Sequence, residues 1–231
     1  MMQTAVAQPT LFAFELALAR LLVSWGIRPV ALVGHSIGEL AAVTLAGLLD
    51  IGAAARFVAA RGRLMQAMPP GRMAVVRTDA SRLLGRLPDG VSLAAINAPG
   101  LSVVSGPFDP VDAFLATLGG EGVASSPLKT SHAFHSPMMA PAARALYNRF
   151  PTGDCGPLSI EMASTSLGRI VDGAQFATPD YWSDQVLNPV RFADALVAVA
   201  GNGRRVFVEI GPRQTLSVLA TEALADAGCL S

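Results

Sequence analysis

Cysteine is nearly absent. The 231 residues hold two, Cys155 and Cys229, which form no close pair. Neither a disulfide framework nor a cysteine metal site is implied. Charge is scarce as well, at 15% of residues, and 17 basic side chains balance 17 acidic ones to a net charge of +0. Without a basic footprint the chain has no signature of nucleic-acid binding. Hydrophobic residues make up 52% of the sequence. Arg, Asp, Gly or Pro nevertheless interrupts every apolar run before about 18 residues, so no membrane span is expected. The N-terminus lacks the basic start and apolar core of a signal peptide, which leaves the cytoplasm as the default location. There is no internal repeat and no low-complexity tail. The length suits one large core, or a core plus a small subdomain.

What is present is organised around Val30 to Glu39, V-A-L-V-G-H-S-I-G-E. A short apolar run ends in Gly34-His35-Ser36-Ile37-Gly38, and an Ala/Leu-rich helical pattern follows. This is the G-x-S-x-G arrangement of a nucleophile elbow, in which a buried strand turns sharply into a helix and leaves one serine exposed. A side chain at Gly34 or Gly38 is expected to crowd the turn. The helix start behind Ser36 offers unpaired N–H groups and a positive dipole end to an oxyanion. The competing reading is a glycine-rich strand–helix turn with an incidental serine.

Along the chain, helical spacing predicts a helix over Leu11–Trp25, a strand over Val30–Val33, and helices over Ile37–Leu48 and Ile51–Met68. Pro69-Pro70-Gly71 is a strong break. Beyond it the pattern reads strand Met73–Arg77, helix Ala80–Arg86, strands Val91–Asn97 and Leu101–Ser105, helix Pro110–Leu118 and strand Val123–Pro127. That β-α-β-β-α-β order is ferredoxin-like. Ser136-Pro137 reads as an N-cap and first helical residue, opening a helix to Phe150. Residues 151–180 are polar and glycine-rich. A helix from Asn188 to Ala200, a buried strand Val206–Ile210 and a helix Thr215–Ala227 complete the chain. The expected fold class is α/β. Residues 1–71 and 131–231 form an α/β-hydrolase-like large subdomain with a parallel sheet, and residues 72–130 an inserted ferredoxin-like small one.

A serine nucleophile needs a base, and only three histidines exist. His35, next to Ser36 on a tight turn, should point away from its hydroxyl. His132 and His135 remain, and His135 is the better placed, at the start of a capped helix. A metal role for this pair has no Cys, Asp or Glu at ligand spacing to support it, so no metal is expected. Arg61 lies on an Ala-rich helix with few charges. It is either a surface arginine or a guanidinium fork for a substrate carboxylate, and the residues alone do not choose.

The motifs Ala7-Gln8-Pro9, Gly34-His35-Ser36-Ile37-Gly38-Glu39, Arg61-Gly62-Arg63-Leu64-Met65, Asn97-Ala98-Pro99, Val104-Ser105-Gly106, His132-Ala133-Phe134-His135-Ser136-Pro137, Asn188-Pro189-Val190-Arg191-Phe192 and Glu209-Ile210-Gly211-Pro212 span the chain in one order. Jointly they resemble the acyltransferase domain of a modular type I polyketide synthase, in the malonyl-CoA:acyl carrier protein transacylase family. The resemblance implies a two-step exchange. Ser36 takes the malonyl group from malonyl-CoA as an ester, and the phosphopantetheine thiol of an acyl carrier protein then removes it. His135 matches the general base and acid. The backbone carbonyl of Gln185 matches the group that orients it, and the N–H of Ile37 one oxyanion donor. Arg61 matches the carboxylate clamp, and Gln8 and Met65 match pocket residues. His132-Ala133-Phe134-His135 resembles the motif of malonyl-specific domains, where methylmalonyl-specific ones resemble Tyr-Ala-Ser-His.

The resemblance further implies no tightly bound cofactor, and neighbouring synthase domains as partners beside the carrier protein. Domains of this family begin with a strand and a Gly-Gln-Gly segment that supplies a second oxyanion donor. This chain starts after that point, so the expectation is an N-terminally shortened domain that is a poor catalyst alone. Two rival readings stand. A serine hydrolase would share the elbow but needs no Arg61 and usually carries its histidine near the C-terminus. A truncated, inactive scaffold domain is the other.

Overall fold

A computed structural model describes residues 3–153, 155–201 and 205–225. The elements in chain order are helix α1 (Thr4–Ser24), strand β1 (Ala31–Val33), α2 (Gly38–Leu45), α3 (Ile51–Gln66), β2 (Arg72–Val76), α4 (Ala80–Leu83), β3 (Ser92–Ala98), β4 (Leu101–Gly106), α5 (Phe108–Gly120) and β5 (Ser125–Pro127). A 3-10 turn (Pro137–Met139) leads into α6 (Ala140–Tyr147), followed by β6 (Glu161–Ser164), β7 (Arg169–Val171), α7 (Gly173–Phe176), α8 (Pro179–Leu187), β8 (Val190–Arg191), α9 (Phe192–Ala200) and α10 (Leu216–Leu224).

Two sheets organise these elements. The first has the order β1-β6-β7, with β1 and β6 parallel and β7 folded back antiparallel. The second has the order β5-β2-β4-β3-β8. Its first four strands carry the ferredoxin-like order, and its antiparallel pairs are β2–β5, β2–β4 and β3–β4. Strand β8 joins β3 in parallel and ties the small subdomain to the C-terminal part of the chain.

The main core lies among α1, α2, α3, α6 and α8. Trp182 is 1% exposed and sits in a cluster with Phe57, Phe150, Phe176 and Tyr181, ring centroids 4.8–6.5 Å apart. Aromatic pairs of this kind each contribute about 0.5–1.5 kcal/mol beyond their buried area. Asp50 caps α3, its Oδ1 accepting from the N–H groups of Gly52 and Ala53 at 2.8 and 3.2 Å, which fixes where the Arg61 helix begins.

Several expectations are corrected. Residues 151–180 hold β6, β7 and α7. Strand β6 buries Met162, Ala163 and Ser164, too short an apolar run to stand out. The helix expected from Pro137 is broken into a 3-10 turn and α6, because Pro141 has no N–H to continue the ladder. Val190–Arg191 is a strand rather than a first helical turn. Val206–Ile210 is not a strand. Val206 is 86% exposed and Val208 55%, because the segment pairs with no strand of the described residues. A cleft of about 480 Å³ separates it from β1. Helix α1 is long and apolar enough, by length and composition, to cross a membrane, contrary to the expectation from unbroken apolar runs. Glu15 and Arg20 are too few to bring it below that threshold. In this fold α1 packs on α2 and α3 and buries Gln8, Phe12 and Leu16. The end of the last predicted helix and Cys229 lie outside the described residues.

Candidate active site

The elbow forms as its residues dictate. Strand β1 ends at Val33, α2 begins at Gly38, and Ser36 between them takes a left-handed φ of 52°. The turn closes through Gly38 N–H to His35 C=O at 3.0 Å and Glu39 N–H to Ser36 C=O at 3.1 Å. Its two glycines differ. A Cβ on Gly34 would lie 2.2 Å from the Glu39 nitrogen and the Gly38 carbonyl carbon, whereas one on Gly38 would meet only Glu15 Oε2 at 3.8 Å. Gly34 is therefore obligatory, and the expected crowding at Gly38 is absent. Gly34→Ala should lower stability by more than about 3 kcal/mol, as overpacking against backbone does. Gly38→Ala should stay within about 1 kcal/mol of the parent. Thermal unfolding of both variants checks this, and equal losses would contradict the geometry.

The loop before the 3-10 turn brings in the candidate base. His135 also has a left-handed φ, 55°. It is held by the Ser136 cap, whose Oγ donates to Ala133 C=O at 2.6 Å and accepts from Met138 N–H at 3.3 Å. His135 Nε2 lies 2.8 Å from Ser36 Oγ, and Nδ1 lies 2.9 Å from the Asn188 carbonyl oxygen. A carbonyl only accepts, so Nδ1 carries the proton and the Nε2 lone pair faces the serine hydroxyl. Burial, reinforced by the nearby Arg61 and His35, pushes the His135 pKa down to about 3. The resting imidazole is therefore neutral and able to accept a proton.

Gln185 is the expected source of the orienting carbonyl, but the direct bond goes to Asn188. Asn188 caps α8 with extended backbone (φ −79°, ψ 155°), so its C=O turns out of the helix. The Gln185 carbonyl exerts a second, smaller pull on the ring. It is free to do so because Pro189, four residues on, has no N–H to occupy it.

The third component is Arg61 on α3, 1% exposed. Its Nη1 donates to Gln8 Oε1 at 2.8 Å, and its Nη2 donates to Gln185 Oε1 at 3.1 Å and to Ser36 Oγ at 3.5 Å. Its Nε has no partner among the described residues. Burial lowers its pKa to about 10, with Glu39 opposing the shift, so the side chain is a cation at neutral pH. Gln8 Nε2 in turn donates to Met65 Sδ at 3.3 Å. Gln8 and Met65 thus hold the guanidinium in place.

Behind the serine lies a residue that ends the elbow motif but to which the sequence assigned no role. The Glu39 carboxylate is fully buried. Oε1 accepts from Thr165 N–H at 2.6 Å and Tyr181 O–H at 3.0 Å, and Oε2 accepts from Gln185 Nε2 at 2.9 Å. Gln185 Nε2 also donates to Ser36 C=O at 2.8 Å. Burial raises the Glu39 pKa while those donors oppose the rise. The signal available beforehand was an acidic residue directly after the elbow in an Ala/Leu-rich buried helix.

The remaining histidines serve the surroundings. His35 Nε2 bonds Asn97 Oδ1 on β3 at 2.9 Å, which turns it away from Ser36 and anchors the elbow to the small subdomain. His132 bonds Ser131 Oγ through Nδ1 at 2.7 Å and stacks on Phe134 at 5.9 Å. Phe134 packs against both the helical core and the core of the second sheet. The Ile37 N–H has no backbone acceptor among the described residues.

A family model described as the acyl transferase domain matches residues 1–228. The chain is 42% identical over 232 residues to polyketide synthase GfsA of Streptomyces halstedii, covering 98% of this chain and 3% of that protein. Among solved structures it resembles the acyltransferase domain from the second module of the salinomycin polyketide synthase. That match has a TM-score of 0.89 and 39% identity, and covers 97% of this chain and 53% of the other. It also resembles malonyl-CoA:acyl carrier protein transacylase of Xanthomonas oryzae, with a TM-score of 0.90, 30% identity and coverage of 98% and 76%. The chain thus spans a small part of its synthase relative and about half of the salinomycin domain. Elbow, histidine and buried arginine agree with that likeness, and the chain belongs to the acyl transferase domain family.

Proposed function

We propose that this domain transfers a malonyl group from malonyl-CoA to the phosphopantetheine thiol of an acyl carrier protein through an ester on Ser36. One observation carries the reading. A neutral imidazole 2.8 Å from Ser36 Oγ shares the site with a buried guanidinium 3.5 Å from the same oxygen. A hydrolase of simple esters has no use for that buried cation, whereas malonyl carries a carboxylate that it can bind.

His135 Nε2 takes the Ser36 proton as Oγ attacks the thioester carbonyl. The Ile37 N–H, at the start of α2, donates to the developing oxyanion. Collapse of the tetrahedral intermediate breaks the C–S bond. His135 returns its proton to the departing CoA sulfur, leaving the acyl-serine. In the second half the carrier thiol gives its proton to His135 and its sulfur attacks the ester, and Ser36 recovers its proton as it leaves. No tightly bound cofactor enters either half. Arg61 holds the malonyl carboxylate, and Phe134 beside the base disfavours an α-methyl group. One methylene in a pocket discriminates only about 10–200-fold, so the malonyl preference is real but not absolute.

Incubation with equal malonyl-CoA and methylmalonyl-CoA, followed by mass spectrometry of the Ser36 peptide, tests this. The expected product is a persistent malonyl ester that carrier protein discharges. Rapid release of free acid would indicate a hydrolase, and no adduct an inactive scaffold. A methylmalonyl excess would overturn the substrate assignment.

A further inference from the structure

We infer that Glu39 is a positioning residue for substrate selection: its carboxylate locks the Gln185 amide with Oε1 facing Arg61, and so holds the guanidinium beside Ser36. The inference rests on the reading of Arg61 as the substrate-carboxylate clamp.

The argument is one of donors and acceptors. Arg61 has only donors, so whatever faces its Nη2 must accept. The Gln185 amide can present either end. The Glu39 carboxylate decides, because it accepts only and draws the amide –NH₂ to Oε2 at 2.9 Å. The same –NH₂ donates to Ser36 C=O. The amide oxygen is thereby left to Arg61 at 3.1 Å. The Glu39 carboxylate oxygens meet donors: Thr165 N–H, Tyr181 O–H and Gln185 Nε2. That environment suits the ionised form. The Tyr181 hydroxyl also lies 2.7 Å from Ser164 Oγ, and with its own proton given to the carboxylate it accepts there from the serine hydroxyl. Arg61 makes no ion pair among the described residues, and Glu39 is the anion whose charge acts on it. A buried cation and a buried anion are thus joined through one polarised amide.

Glu39→Gln keeps the size and breaks the logic. The oxygen of the introduced amide can still serve Thr165 and Tyr181, but its –NH₂ then meets the –NH₂ of Gln185. Relief requires Gln185 to flip, which turns donors toward Arg61. Adding Gln185→Glu on this background restores an acceptor to Arg61 and to the introduced amide, but gives up the donor to Ser36 C=O.

Ser36 loading by malonyl-CoA and by acetyl-CoA is measured on the full chain by intact-mass spectrometry, with thermal unfolding alongside. In Glu39→Gln the malonyl-to-acetyl ratio should fall about tenfold, the size of one charge-assisted hydrogen bond. The double variant should return part of that loss, since the bond to Ser36 C=O stays lost; even partial return is a coupling that independent sites do not show. Equal loss of both substrates, or losses that simply add in the double variant, would overturn the inference and make Glu39 structural. If Glu39→Gln does not fold, Gln185→Met cuts the relay while leaving Glu39 in place. The same selective fall is expected there, and an unchanged ratio overturns the inference. Arg61→Ala separates the two claims. An unchanged ratio in that variant sinks the clamp itself. A collapsed ratio there, with none in the relay variants, sinks only the role of Glu39.

Discussion

Ser36→Ala loads no acyl group from malonyl-CoA, and the mass of the protein stays that of the unmodified chain after any incubation. The elbow offers no second nucleophile. Its neighbour His35 is turned into a bond with Asn97, and Ile37 and the two glycines have no nucleophilic side chain. Removing one member of such a constellation can leave residual rate enhancement from the rest of the site, but a covalent ester needs its oxygen. Stability should change little. The variant loses the 2.8 Å bond to His135 Nε2, worth about 0.5–1.5 kcal/mol, and the longer 3.5 Å one from Arg61 Nη2, and alanine meets the same backbone φ of 52° as serine. A folded Ser36→Ala protein that still acquires a malonyl adduct would show that another side chain is the nucleophile.

His135→Ala slows loading about 10²–10⁴-fold, the usual contribution of a positioned general base. His132→Ala costs far less, since its ring bonds Ser131 and stacks on Phe134 without a bond to Ser36. Equal losses at the two positions would mean that both act or that the assignment is reversed. The pH profile offers a second test. His135 is held down to about 3 by burial and by the positive Arg61, below the value of about 6.5 for a free imidazole. A depressed pKa keeps the base form as pH falls. The loading rate should therefore run level from about pH 8 through about 6.5 and decline only toward the lowered value. An inflection near that free-imidazole value in a folded sample would mean that the catalytic imidazole is hydrated, and would remove burial as the source of its basicity at neutral pH.

Among the described residues no acidic side chain bonds His135, and this has a physical consequence. A carboxylate would stabilise the imidazolium strongly; the Asn188 carbonyl does so weakly while still fixing the tautomer. The base is poised by geometry and desolvation rather than by a paired charge. The only carboxylate in the hydrogen-bonded network around the serine among the described residues, Glu39, is committed to Gln185 and through it to Arg61.

Part of this was legible in the chain. The glycine pattern around Ser36, the shortage of histidines and the Ser136-Pro137 cap each act within a few residues. Local sterics and hydrogen bonding are enough to specify them. The β-α-β-β-α-β run of the small subdomain was equally plain, because each strand and helix there carries its own apolar period. By contrast β6 is four residues long and buried, so it offers no period to read. The Val206–Ile210 run looked like a strand because its residues are apolar, but a strand exists only where a neighbour supplies hydrogen bonds. Gly38 looked obligatory from the motif, yet the space beside it is open.

By itself, then, the sequence determined the candidate nucleophile, the candidate bases and the motif order that marks the family. All are properties of short segments. Which carbonyl orients His135, and whether Arg61 is a surface charge or a buried one, were decided only in three dimensions. His135 meets Asn188 across 53 residues, Arg61 meets Gln185 across 124, and Glu39 meets Gln185 across 146. No local propensity encodes such contacts. They follow from how α2, α3 and α8 pack, and that packing buries the Arg61 guanidinium and the Glu39 carboxyl group on either side of the Gln185 amide.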